Sequence, residues 1–114
     1  MSRNMRRAER RQEKSLSNIY FELGNKYIAG LGVERNYTLA AEHYQQAVQL
    51  GHATAKFNLA LLHEHGLGVA KNGVAAVHLY SQAMLEGVEQ AVYNLARLYH
   101  LGLGVAQDIS AAVM

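Results

Sequence analysis

The chain has 114 residues, half of them hydrophobic and 18% charged, with a formal net charge of +2 at pH 7. It has no run near the roughly 18 apolar residues that a membrane span needs and no apolar segment after its amino-terminal arginines, so it resembles neither a membrane nor a secreted protein, and we expect it in the cytoplasm. It contains no cysteine, which excludes disulfide and thiol chemistry, and no proline, which favours uninterrupted helices.

Residues 1–16 form a basic leader. Its six cations outnumber Glu9 and Glu13, whereas the rest of the chain holds five basic and seven acidic residues. The cations are Arg3, Arg6, Arg7, Arg10, Arg11 and Lys14. Because each glutamate follows an arginine by three residues, one interpretation is a polar helix that caps the array. The alternatives are a solvated tail and a disordered arm that binds nucleic acid or anionic lipid.

A repeated tetrapeptide divides the rest of the chain. Gly-Leu-Gly-Val occurs three times, at residues 30–33, 66–69 and 102–105, each 36 residues after the last. The period defines units at residues 17–52 and 53–88, and an incomplete third unit at residues 89–114. A fixed period of this length is typical of tandem repeats whose helix pairs stack into a solenoid.

Each unit is predicted to start with a helix, called helix A. In the first unit, its buried stripe at 100° per residue comprises Ile19, Tyr20, Leu23, Gly24 and Tyr27. Gly30 follows where a left-handed residue would close the helix, and its counterparts are Gly66 and Gly102. We expect Leu31 and Val33 to anchor the following loop in the core.

A second helix, helix B, is predicted to begin after Asn36, Asn72 and Asp108. These short polar side chains share one phase of the repeat, and each can accept hydrogen bonds from unpaired amides at a helix start. The stripe of the first helix B comprises Tyr37, Ala40, Ala41, Tyr44, Ala47 and Val48. Its alanines allow helices A and B to approach closely, and Gly51 and Gly87 end the helix.

The units share a pattern that is fullest in the third, at Ala91, Leu95, Ala96, Tyr99, Gly102, Gly104, Val105 and Asp108. This pattern resembles the Sel-one-like repeat, a relative of the tetratricopeptide repeat, and the resemblance covers residues 17–114. It implies an all-α fold in which antiparallel helix pairs stack into a right-handed α-solenoid. It also implies an adaptor that binds a protein or peptide partner.

The resemblance places partner binding on the concave surface, formed by the side of helix A opposite its buried stripe. That side carries Phe21, Asn25, Ile28, Phe57, Leu61, Glu64, His65, Tyr93, Arg97 and His100. We expect Phe57, Leu61 and Arg97 to be central, because binding hot spots favour aromatic side chains and arginine. The alternative is that Phe21, Phe57 and Tyr93 only pack between neighbouring helices.

The third unit lacks most of its helix B. After Asp108 only six residues remain, where a complete unit has a helix B of about 14 residues. The apolar side of the preceding helix A would then be partly uncovered. We expect a fragment of a longer array or a truncated product; the alternative is that self-association or another partner closes this end.

The sequence predicts no metal site, cofactor or enzymatic activity. His63 and His65 point about 200° apart on a helix, so they do not converge on one ion. No close pair of carboxylates is suggested for general acid–base catalysis. The Gly-Leu-Gly motif ends a helix instead of following a strand, unlike a phosphate-binding loop.

Overall fold

The computed structural model describes residues 2–102, which form five α-helices and no strand. The helices are α1 (Arg3–Ala29), α2 (Tyr37–Gln49), α3 (Ala53–His65), α4 (Gly73–Leu85) and α5 (Glu89–Leu101). Each packs on its neighbours along the chain, giving a body of 50 × 39 × 20 Å. The predicted all-α solenoid is confirmed, while the helix B expected after Asp108 lies outside the described residues.

The helix boundaries follow local capping chemistry. The Oδ1 atoms of Asn36 and Asn72 each accept a hydrogen bond of 3.0 Å, from the amides of Leu39 and Ala75, which satisfies an amide that the helix leaves unpaired. Helices α1, α3 and α5 end at left-handed glycines, namely Gly30, Gly66 and Gly102. The predicted starts of α2 and α4 and the predicted ends of α1, α3 and α5 are therefore confirmed.

The basic leader is the first half of α1. The helix begins at Arg3, where the Ser2 hydroxyl accepts a hydrogen bond from the amide of Met5, and it continues without a break into the first helix A. Residues 2–16 are all exposed. None of the helices in residues 2–102 combines the length and apolar character that crossing a bilayer requires.

Alanines, leucines and two tyrosines form the core between the helices. The buried apolar residues of α2, α3 and α4 are Ala40, Ala41, Tyr44, Ala47, Ala55, Leu59, Ala60, Leu62, Ala76, Leu79, Tyr80 and Ala83. On α1, Gly24 is buried against the Tyr44 ring, which occupies the space that a Cβ would need. The helices can therefore approach closely, and Tyr44 and Tyr80 fill the remaining volume.

The sequence prediction was wrong for Ile19 and Leu31. Ile19 is 53% exposed, whereas Ala55 and Ala91 at the same phase are fully buried on helices that pack against a preceding helix B. Leu31 is 68% exposed, whereas Leu67 in the second loop packs against the core. In the described chain no helix B precedes α1, so the first unit lacks the surface that covers these positions in later units.

His52 caps the amino terminus of α3 through its ring. Its Nδ1 accepts a hydrogen bond of 3.1 Å from the amide of Ala55, a role that only the neutral imidazole can fill. Burial lowers the pKa of His52 below its ordinary value, against the opposing charge of Glu22. The cap and the burial therefore both favour the neutral ring.

This cap predicts a loss of stability in mild acid. The folded pKa of His52 lies below the unfolded value of about 6.5. The neutral ring therefore makes its full contribution to the free energy of unfolding above a pH of about 6.5, and this contribution is lost as the pH falls from there through the folded pKa. Urea unfolding across this range should show the free energy of unfolding fall more steeply for wild type than for His52→Asn. Asparagine keeps a capping oxygen but does not titrate, so parallel profiles would contradict the prediction.

Candidate functional site

A largely apolar groove lies between helices α1 and α3. It has a volume of about 470 Å³ and is lined by Asn25, Ile28, Tyr37, Tyr44, Asn58, Leu61, Leu62, His65 and Leu67. Its walls come from the carboxyl-terminal halves of the two A helices, from α2, and from the second Gly-Leu-Gly loop. We call this site the α1–α3 groove.

Three polar side chains form the base of this groove. The Tyr44 hydroxyl donates a hydrogen bond of 2.6 Å to Asn25 Oδ1. Asn58 Nδ2 lies 3.4 Å from the same oxygen and 3.3 Å from the hydroxyl. Burial raises the pKa of Tyr44, so the phenol stays neutral and remains a donor. Asn25 Nδ2 and Asn58 Oδ1 take no part in these bonds, which leaves one donor and one acceptor for a ligand.

The groove brings together four of the ten predicted partner-binding residues, namely Asn25, Ile28, Leu61 and His65. Phe21 lies nearer the amino-terminal end of α3, where its ring stacks on the His52 ring with 4.3 Å between centroids. Asn58 was not among the predicted residues, although Asn94 occupies the same position of the 36-residue repeat. The sequence signal for this residue is that an asparagine occupies the same position in two successive repeats.

A second polar cluster surrounds Tyr80, the counterpart of Tyr44. Its hydroxyl donates a hydrogen bond of 2.8 Å to Glu64 Oε1, and Arg97 lies 2.5 Å from Glu64 Oε2. Burial alone would raise the pKa of Glu64, but the hydrogen bonds from Arg97 and Tyr80 and the Arg97 charge outweigh it and hold that pKa below its ordinary value. Glu64 is therefore a buried anion whose carboxylate is already bound by side chains of the repeat array itself.

The predicted residues outside the groove have different environments. Glu64 is only 6% exposed, so it does not offer a partner the free carboxylate that its helical face suggested. Phe57 is half-buried and packs on Tyr80 at 5.6 Å between centroids, consistent with the packing alternative. Tyr93 is 71% exposed and His100 is also exposed. Arg97 keeps 31% of its side chain exposed beside its bond to Glu64.

The chemistry of these side chains suits recognition. Within residues 2–102, no three histidine, aspartate or glutamate side chains lie close enough together to hold a metal ion. The buried carboxylate of Glu64 already accepts hydrogen bonds from two neighbours and has a lowered pKa, which is unfavourable for a general base. The α1–α3 groove offers apolar walls with one amide donor and one amide acceptor.

Comparisons with known proteins agree with this architecture. The family model of the Sel1 repeat matches residues 20–52, 53–88 and 89–114. Over 43 residues the chain is 44% identical to the ERAD-associated E3 ubiquitin-protein ligase component HRD3A of Arabidopsis thaliana, a match covering 38% of this chain and 6% of that protein. The chain therefore spans less than a tenth of the curated relatives it matches.

Two solved structures are similar over most of the chain. The Sel1 repeat protein from Oxalobacter formigenes has a TM-score of 0.78 and 34% identity, covering 89% of this chain and 41% of that one. The cysteine-rich protein B of Helicobacter pylori has a TM-score of 0.65 and 30% identity, covering 69% of this chain and 59% of that one. The present sequence shares that fold without any cysteine.

Proposed function

This chain belongs to the Sel1 repeat family, and we propose that it is a non-catalytic adaptor whose α1–α3 groove binds an extended segment of a partner protein. Sel1 repeats are typically protein–protein interaction modules. The observation that supports this particular surface is the pairing of apolar walls with a free amide donor and acceptor. The location of the protein in the cytoplasm stays a prediction.

The groove fits the two kinds of group that an extended peptide presents. Ile28, Leu61 and Leu67 supply apolar surface for one large side chain. Asn25 Nδ2 can donate to a peptide carbonyl, and Asn58 Oδ1 can accept from a peptide amide. The hydrogen bonds to Tyr44 hold both amides in position before binding, which lowers the entropic cost of association.

Leu61→Ala is expected to weaken peptide binding by at least about 2 kcal/mol, because it removes most of one of the large apolar side chains that line the groove. A random peptide display library supplies the ligands, and fluorescence anisotropy measures the dissociation constants of those that wild type selects. Circular dichroism should show that the variant keeps its helices, since Leu61 is only half-buried.

Leu85→Ala is the matched control. It makes the same substitution at the last residue of α4, where the side chain is 81% exposed and lies outside the groove. It should bind the selected peptides like wild type. Equal affinities for the folded Leu61 and Leu85 variants would place the binding surface elsewhere.

Self-association through the third unit stays a separate prediction. The residues expected to close that end of the array, from 103 onward, lie outside the described part of the chain. Val92 and Tyr93 on α5 are more than half exposed in residues 2–102. Sedimentation of the chain over a range of concentrations measures whether it associates.

A further inference from the structure

The six cations of the leader lie on one side of α1. At 3.6 residues per turn they fall within an arc of about 140°, and each of them is exposed. Glu9 and Glu13 lie on one flank of this arc. Within residues 2–102, no salt bridge joins any of these cations to a carboxylate. We call this surface the basic face.

The basic face continues the surface that borders the α1–α3 groove. On the same helical wheel, Phe21, Asn25 and Ile28 fall inside the arc of the cations. The structure supports this alignment, because Phe21 stacks on His52 at the start of α3, and Asn25 and Ile28 line the groove. One side of α1 therefore carries positive charge along its amino-terminal half and borders the apolar groove near its carboxyl-terminal end.

A shallow depression lies beside the basic face, between α1 and the start of α3. It has a volume of about 370 Å³ and is lined from α1 by Arg10, Glu13, Lys14, Ser17 and Asn18, and by residues 50–54, which form the turn between α2 and α3 and the start of α3. Those residues include the amino-terminal end of α3, whose helix dipole also favours negative charge. In this depression Arg10 and Lys14 outnumber the carboxylate of Glu13, so a ligand that leaves the groove along α1 meets net positive charge.

We propose that the segment bound in the α1–α3 groove carries acidic residues on one side of its apolar anchor, and that the basic face binds them. Lys14 and Arg3 lie about 21 and 38 Å along the helix axis from Ile28, given a rise of roughly 1.5 Å per residue. An extended peptide covers those distances in about 6 to 12 residues. The acidic residues should therefore lie at that separation from the anchor. This inference rests on the proposed function of the groove.

The same observations favour an acidic peptide over other anionic partners. The groove holds no lysine or arginine, so it offers no positive charge to a nucleic-acid backbone. On the side of α1 away from the cations, the exposed large apolar residues are Met5, Leu16 and Ile19. Three such residues over a helix of 27 residues are fewer than an interfacial membrane helix usually carries.

The test selects peptides of about 16 residues from a random display library, long enough to span both surfaces. Wild type should enrich for aspartate and glutamate about 6 to 12 residues from an apolar anchor. A variant with Arg3, Arg7, Arg10 and Lys14 all changed to glutamate should lose this enrichment and bind the wild-type peptides at least about tenfold more weakly. The loss should shrink as added salt screens the charges. These cations are exposed, so the variant should keep its helices.

Lys14→Glu and Lys26→Glu form a matched pair. Both lysines are exposed on α1 and both changes alter the net charge equally, but Lys26 lies on the other side of the helix, away from the basic face. Lys14→Glu should weaken binding about threefold, and Lys26→Glu should leave it unchanged. Equal effects of the two variants, or selected peptides without acidic enrichment, would overturn the inference.

The remaining outcomes separate this inference from the proposed function. If peptide binding depends on Leu61 but not on the charge of the leader, the groove stays the proposed binding site and the proposal of acidic residues beside the anchor is overturned. A folded chain that selects no peptides would overturn both. Single-stranded RNA or phosphatidylserine vesicles that bind wild type more tightly than acidic peptides, and lose binding in the fourfold variant, would overturn the inference in favour of a nucleic-acid or membrane ligand.

Discussion

Gly68→Ala is expected to reduce the free energy of unfolding by about 3 to 5 kcal/mol. Gly68 has φ +73°, a left-handed conformation that costs an alanine about 1 kcal/mol. A Cβ at this position would also overlap the carbonyl oxygen of Tyr37, on the helix B of the preceding unit, at a separation below 3.0 Å. Because the obstacle is backbone, relief requires moving a whole loop. Urea unfolding followed by circular dichroism measures the loss.

Gly32→Ala provides the control for this prediction. Gly32 occupies the same place in the first unit with φ +72°, but a Cβ there would meet only the end of the Lys26 side chain at 3.9 Å. Its expected cost is therefore the backbone strain alone, about 1 kcal/mol. The difference between the two variants isolates the contact between one unit's loop and the preceding helix B. Similar losses would show that this contact contributes little to stability.

Sequence reasoning succeeded where structure depends on nearby residues. Asn36 and Asn72 cap helices through amides three residues away, and Gly30 ends α1 through its own backbone conformation. It failed where burial depends on the adjacent unit. The repeat period treats Ile19 as equivalent to Ala55 and Leu31 as equivalent to Leu67, but equivalence in phase does not supply an equivalent neighbour.

The sequence predicted which side of the A helices forms the candidate site, but not the polar contacts within it. Helical phase identified the side of α1 and α3 that borders the groove, including Asn25, Ile28 and Leu61. It did not predict the polar clusters, because Asn25 corresponds to Leu61 and then to Arg97 in successive units. The buried tyrosines keep their phase while their hydrogen-bond partners change from amides to a carboxylate. Those partners are set by neighbours on other helices.

Glu64 shows why the period could not settle such positions. Its phase is shared with Ile28 and His100, and it was predicted to face a partner. In the structure its two oxygens are bonded by Tyr80 and Arg97, which compensate for the loss of water around a buried charge. A buried carboxylate is stable only with such partners, and they come from α4 and α5.

Arg97→Met is expected to destabilise the array by about 1 to 3 kcal/mol at neutral pH, because it leaves the Glu64 carboxylate buried without its cation. This expected loss of stability is smaller than that for breaking a fully buried ion pair, because 31% of the Arg97 side chain is exposed. Glu64→Gln is the matched comparison. It should cost less than about 1 kcal/mol, since glutamine can still accept a hydrogen bond from Tyr80 and the freed Arg97 can reach water.

The pH dependence of that loss distinguishes an unpaired charge from simple loss of packing. In wild type the pKa of Glu64 is lowered, so its contribution is present above the unfolded value of about 4.5 and is lost as the pH falls through the folded pKa. Without Arg97, burial should dominate and raise the pKa of Glu64. Protonation of Glu64 then removes the unpaired buried charge from the variant as the pH falls. The gap in unfolding free energy between wild type and Arg97→Met should therefore narrow in acid. A gap that stays constant would show that Arg97 stabilises the array through its packing and not through its charge.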